Sequence, residues 1–123
     1  VASTTAGDLE VIEIDASGAI VSRRSTPAGV PTLQSPPFAL GDLDRDGDAD
    51  IVVGGTTEIR FIQCTSAPRG TFVNQTLATG RQNTAGLAIG DLDSDGVPDV
   101  GAAVRTDDDV VWWSSGGTPW WNH

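Results

Sequence analysis

Lysine and methionine are absent from this chain of 123 residues, and cysteine and histidine occur once each. Each shortage excludes something. Arginine is the only strong base against 17 acidic side chains, which leaves a net charge of −10. The chain therefore lacks the basic face that nucleic-acid binders carry, and it has nothing to hold it to an anionic membrane surface. A lone Cys64 cannot build an intrachain disulfide framework, and its setting in "EIRFIQC" suits a small buried apolar role. The one histidine, His123, is the last residue, so a histidine-dependent catalytic triad would have no base. No apolar run approaches the ~20 residues of a membrane span. The opening "VASTTAGDLE" has neither the basic nor the apolar region of a signal peptide. The missing methionine argues that Val1 is not a translation start and that the chain is a mature or excised piece. Its length suits one small domain with an ordinary core.

The acidity that is present is concentrated in two places. "GDLDRDGDAD" (Gly41–Asp50) carries −4 once Arg45 is counted, and "GDLDSDGVPD" (Gly90–Asp99) carries another −4, so the two stretches hold −8 of the −10. Local chemistry, and not a solvating acidic tail, is the reading this favours.

The two stretches lie 49 residues apart, from Asp42 to Asp91, and their surroundings repeat with them. Phe38-Ala39-Leu40 matches Leu87-Ala88-Ile89, "ADIVVGG" matches "PDVGAAV", and "EIRFIQC" matches "DVVWWSS". A partial third copy opens the chain, where "VAS" resembles the tail of "IVVGG" and "LEVIEID" corresponds to "EIRFIQC". The acidic loop of that copy would fall before Val1. Roughly two and a half units are present, as a partial repeat 1–36, a repeat 37–85 and a partial repeat 86–123 within a single segment 1–123. Short runs rich in Val, Ile, Phe and Trp, bounded by Gly, Pro, Asp and Thr, read as β-strands. "PFALGD", "ADIVVGG", "EIRFIQC" and "TFVNQTLAT" are expected to be four successive antiparallel strands, with little helix anywhere. The strand before each acidic loop is small and apolar on both faces, which predicts burial between neighbouring sheets.

Aspartate at loop positions 1, 3, 5 and 9, with glycine at position 6, is what a hard divalent cation asks for. In a tight loop the first three carboxylates turn toward one centre, and Gly47 or Gly96 takes a bend that a β-carbon would obstruct. The main-chain carbonyl of Asp48 or Val97 adds a neutral oxygen, and Asp50 or Asp99 closes the shell. Oxygen ligands alone, with room for water, suit Ca²⁺ better than the stricter Mg²⁺, and neither loop offers the His or Cys that Zn²⁺ prefers. An EF-hand is excluded, because its loop ends in a bidentate Glu between helices, whereas here Val53 and Ala102 stand at that position within strand-like sequence. The competing account is an acidic surface turn without metal, since Asp and Gly dominate turns; two copies of identical placement weigh against it.

"FALGDLDRDGDADIVVGG", "LAIGDLDSDGVPDVGAAV" and the following "DDVVWWSSGG" resemble the FG-GAP or VCBS-type repeats of integrin-like calcium-binding β-propellers. The resemblance covers nearly the whole chain. It implies an all-β fold of four-stranded antiparallel blades, with Ca²⁺ held in the loop between the first two strands of each. By position it assigns two Ca²⁺ sites, one to Asp42, Asp44, Asp46, the Asp48 carbonyl and Asp50, the other to Asp91, Asp93, Asp95, the Val97 carbonyl and Asp99. Propellers close with about 4–8 blades, so two and a half imply a partial propeller, completed by the remaining blades of a larger protein or by other copies; open strand edges would otherwise remain.

The functional expectation is a calcium-stabilised, non-catalytic module of an extracellular, secreted or cell-surface protein, serving structure, adhesion or assembly. Metal would keep every paired carboxylate engaged, which spoils them as general acids. Its expected partners are Ca²⁺ and other protein chains or blades, with glycans a further possibility, and neither nucleic acid nor membrane insertion is expected. One alternative is a lectin-like propeller using Trp112, Trp113, Trp120 or Trp121 to stack on sugars, against which stands ordinary packing of one member of each pair between blades. Another is the non-catalytic part of a larger secreted enzyme, such as a polysaccharide lyase or phospholipase. "TDDDV" (Thr106–Val110) reads as a solvated turn, and Asn74-Gln75-Thr76 is a glycosylation sequon that acts only in a secreted eukaryotic chain.

Overall fold

The computed structural model describes residues 2–3, 9–25, 37–66, 69–80, 83–106, 108–114 and 121–122. Among them every regular element is a strand: β1 (Ala2–Ser3), β2 (Leu9–Ile14), β3 (Ile20–Ser25), β4 (Phe38–Gly41), β5 (Asp50–Gly54), β6 (Glu58–Ser66), β7 (Arg69–Thr79), β8 (Thr84–Gly90), β9 (Asp99–Val104), β10 (Asp109–Ser114) and β11 (Trp121–Asn122). Short β-branched runs cut by Gly, Asp and Thr leave no room for a sustained helical stripe. The chain forms two compact units, Val1–Val30 and Pro31–His123.

In the first unit β1, β2 and β3 form one antiparallel sheet in that order. The β2–β3 hairpin turns on Asp15. Its Oδ1 accepts hydrogen bonds from the Ser17 amide (2.8 Å), the Ser17 hydroxyl (2.6 Å) and the Ala19 amide (3.0 Å). This aspartate stabilises the turn by satisfying donors that the hairpin end leaves open.

The second unit holds two four-stranded antiparallel sheets, ordered β4-β5-β6-β7 and β8-β9-β10-β11. The strands expected from "PFALGD", "ADIVVGG", "EIRFIQC" and "TFVNQTLAT" are β4 to β7, each paired to the next. The repeat is visible in the register, since Ile51 pairs with Leu40 and Ile62, and Val100 pairs with Ile89 and Trp113.

The core lies between the two sheets. Val52, Ile59 and Phe61 of the first meet Val100, Ala102, Val104, Val111 and Trp113 of the second. Period-2 alternation sends these side chains to one face. Close approach requires small residues at the seam, where a β-carbon on Gly54 would lie 2.6 Å from Cγ2 of Thr84. The link from β7 to β8 is stitched to the β5–β6 turn, with the Gly80 amide donating to the Thr57 carbonyl (3.0 Å) and the Asn83 amide to that of Thr56 (3.1 Å).

The expectation of a doubly buried strand before each acidic loop needs correction. Those strands are β4 and β8, both at sheet edges, and Phe38 and Leu40 are 47% and 50% exposed. An edge strand has one neighbour, so apolar composition does not seal it. The strand after the loop is the sealed one, and every residue of β5 is buried.

Candidate metal centre

Each acidic loop joins an edge strand to the buried strand beside it, β4 to β5 and β8 to β9. The two loops fold alike. Position 1 accepts from the glycine amide at position 6, as Gly47 donates to Asp42 Oδ2 and Gly96 to Asp91 Oδ2, both at 3.0 Å. Position 3 accepts from position 5, with Asp46 and Asp95 amides at 3.1 Å from Asp44 and Asp93 Oδ1. Position 5 accepts from position 7, at 2.9 Å for Asp48 and 2.8 Å for Val97. These bonds require left-handed backbone at two places. Glycine meets that need at Gly47 and Gly96, with φ of 94° and 86°. Arg45 and Ser94 meet it at position 4, with φ of 64° and 65°. Position 4 went unnoticed in the sequence because neither residue type favours this region.

The carboxylates of positions 1, 3 and 9 converge. Asp42, Asp44 and Asp50 bring one oxygen each to within 4.8 Å of one another, and so do Asp91, Asp93 and Asp99. Asp46 and Asp95 are candidate ligands from the spacing but are not in these groups; their Oδ1 atoms brace the loop. Asp48 and Val97 likewise enter the loop through their amides.

Position 9 has a second task. Asp50 is completely buried, with Oδ2 accepting from the Leu43 amide and Oδ1 from the Cys64 amide, both at 2.8 Å. It therefore ties the loop to β6. Asp99 is equally buried and takes the Leu92 amide at 2.8 Å. Burial pushes the Asp50 carboxyl up to about 6, aided by the nearby Asp44 charge and opposed by the Cys64 and Leu43 amides. Asp93 is also raised, first by desolvation and further by the charges of Asp95 and Asp99, against the Asp95 amide.

In the first loop one acceptor has no donor: Asp42 Oδ1 is buried without a hydrogen-bond partner. An unsatisfied buried oxygen is costly, and three carboxylates crowded around it repel one another. Oxygen donors converging beside an orphaned acceptor fit a hard cation such as Ca²⁺.

The tryptophans divide. Trp113 is buried at 2% exposure in the core, whereas Trp112 lines an apolar cleft of about 640 Å³ with Gly86, Ala88, Gly90, Gly101 and Val110. Trp121 lies in β11; Trp120 and His123 lie outside the described residues. Cys64 is half-buried. Asn74, the sequon residue, is half-buried in β7 opposite Ile62, with its Oδ1 buried and unpartnered. In the "TDDDV" segment Asp108 has a φ of 49°, and its amide donates to the Arg105 carbonyl in the turn ahead of β10, while Asp107 lies outside the described residues.

Fold and loops together define a class, an all-β protein of repeated antiparallel sheets in which an aspartate-rich loop joins the first two strands. Residues 42–102, a span that takes in both loops, match the family model of the FG-GAP-like repeat, so this segment carries an FG-GAP-like repeat. No curated protein and no solved structure matches the chain.

Proposed function

We propose that this chain is a calcium-stabilised β-propeller module of an extracellular or cell-surface protein, with a structural, adhesive or assembly role and no catalysis of its own. The observation that carries this reading is the convergence of Asp42, Asp44 and Asp50 around the orphaned Asp42 Oδ1, with the same convergence at Asp91, Asp93 and Asp99. A bound Ca²⁺ supplies the positive charge that would neutralise each cluster. The residues do the rest. Asp42 and Asp44 offer oxygens from the loop, Asp50 anchors it to β6, and the glycine at position 6 lets it close. Extracellular calcium is abundant enough for sites of modest affinity, which supports the proposed location.

The assembly role rests on repetition of the sheet–sheet joint. The small-residue face of the first sheet, at Gly41 and Gly54, receives Ile89 and Thr84 of the second. The corresponding face of the second sheet, at Gly90 and Ala103, borders the open cleft beside Trp112. Its proposed occupant is a further sheet of the same repeat. A glycan-binding role is the second reading, favoured only by Trp112 in that cleft; specific glycan binding lost in Trp112→Ala would support it.

Equilibrium dialysis tests the metal assignment. Two Ca²⁺ per chain are expected, with Asp44→Ala and Asp93→Ala each retaining one. Wild-type stoichiometry in both variants would show the ligands to be misassigned.

A further inference from the structure

Aspartate is followed by glycine at only two places in the chain, Asp46-Gly47 and Asp95-Gly96. Both pairs stand at positions 5 and 6 of an acidic loop, and all four residues are exposed. This dipeptide has a reaction of its own. The glycine nitrogen can close on the side-chain carboxyl carbon of the aspartate before it, because no β-carbon crowds the approach.

The surrounding groups are placed for that step. The amide proton that Gly47 must lose already lies on a carboxylate, Asp42 Oδ2, at 3.0 Å. The carboxyl under attack has its Oδ1 on the Asp48 amide at 2.9 Å, a donor placed to stabilise that oxygen as negative charge develops. The second loop repeats both contacts, Gly96 with Asp91 Oδ2 at 3.0 Å and Val97 with Asp95 Oδ1 at 2.8 Å. A β-carbon built on either glycine would meet nothing within 4 Å, so a ring has room to form there.

We propose that Asp46 and Asp95 are sites of self-promoted isoaspartate formation, with the position 1 carboxylate, Asp42 or Asp91, taking the proton. The Gly47 nitrogen bonds to Cγ of Asp46, its proton passes to Asp42 Oδ2, and the side-chain hydroxyl departs with that proton as water. The product is a five-membered succinimide. Water then adds at one of its two carbonyls. Opening at Cγ restores aspartate, whereas opening at the main-chain carbon leaves the backbone running through Cγ, one methylene longer. Mass is unchanged, and no oxidant or reductant is required. The step needs no metal and stands apart from the calcium reading.

Ageing the intact folded chain in EDTA, at one fixed pH and below its melting midpoint, tests the inference. Tryptic cleavage after Arg45, Arg60, Arg81 and Arg105 puts Asp46 and Asp95 on separate peptides, and fragmentation that marks the β-linkage counts each. Both sites should convert faster in the folded chain than in urea, where the loops disperse. Asp42→Asn keeps an acceptor and removes the base. Conversion at Asp46 should then slow toward the low end of the about 10²–10⁴-fold that a positioned base supplies. Asp95 in the same molecule should keep its wild-type rate, and Asp91→Asn should give the reverse pattern. In urea neither substitution should matter. Folded rates no higher than those in urea would overturn the inference, as would an Asp42→Asn chain that spares Asp46 or slows both sites alike.

Discussion

Within one loop, aspartates identical in charge have different work, and burial separates them. Asp50 is sealed and holds two backbone amides, whereas Asp44 is exposed. Asp50→Asn turns an amide group toward one of two buried N–H donors. Hydrogen bonds to charged acceptors contribute about 1.5–3 kcal/mol each, so urea unfolding in EDTA should show a loss of about 3 kcal/mol. Asp44→Ala should leave that metal-free stability nearly unchanged and weaken calcium binding instead. If the two substitutions proved equally costly in EDTA, the division of labour would be wrong. Asp15 provides a pH test in the unit that carries neither acidic loop. The Ser17 hydroxyl, then the Ala19 and Ser17 amides, hold its carboxyl below the usual carboxylate range. A depressed group stabilises the fold above its unfolded value and loses that contribution as pH falls through its folded value. The stability gap between wild type and Asp15→Ala should therefore be constant at neutral pH and shrink in strong acid. A gap that widens on acidification would contradict the assignment. The convergence of the carboxylates at positions 1, 3 and 9 was legible in the sequence. The anchoring by Asp50 was not, because it depends on β6, which lies beyond the loop in the chain and meets it only after folding.

Among the elements, the repeat made the strands legible. Turn residues recur at fixed offsets around short β-branched runs, so β4 to β7, the latter part of β8, and β9 and β10 follow from pattern alone. Burial of the strand before the loop was misjudged for a physical reason. Composition reports how apolar a strand is, but the edge position of β4 and β8 is set by long-range pairing. The seam between sheets was equally hidden, since a glycine in a strand does not say what approaches it. Gly54 is the sharpest case. A β-carbon there meets Thr84 Cγ2 at 2.6 Å and Thr84 Cβ at 2.7 Å, and Thr84 is buried and too short to swing aside. Gly54→Ala should destabilise by about 1–3 kcal/mol, the usual range for overpacking, without changing calcium stoichiometry. Gly96→Ala should instead strain the loop through its positive φ and weaken the second site. Denaturant midpoints and metal titrations on the pair separate seam from loop.

For the whole molecule the governing quantity is charge. Eight of ten net negative charges sit in the two loops, and two bound Ca²⁺ would take the formal charge from −10 to −6. Under the proposed function, bound calcium would act through the folded state, because the converging carboxylates disperse when the chain unfolds. Each proposed site would stabilise by about 2.7 kcal/mol at calcium a hundredfold above its Kd. For a chain of this size two sites should raise Tm by at least about 10 °C. Thermal unfolding in EDTA and then in stepwise added CaCl₂, with MgCl₂ as the comparison ion, tests the account most directly. The account predicts a low Tm in EDTA, a rise that follows calcium to saturation, and little response to magnesium. A Tm that stays the same across EDTA, calcium and magnesium would contradict it.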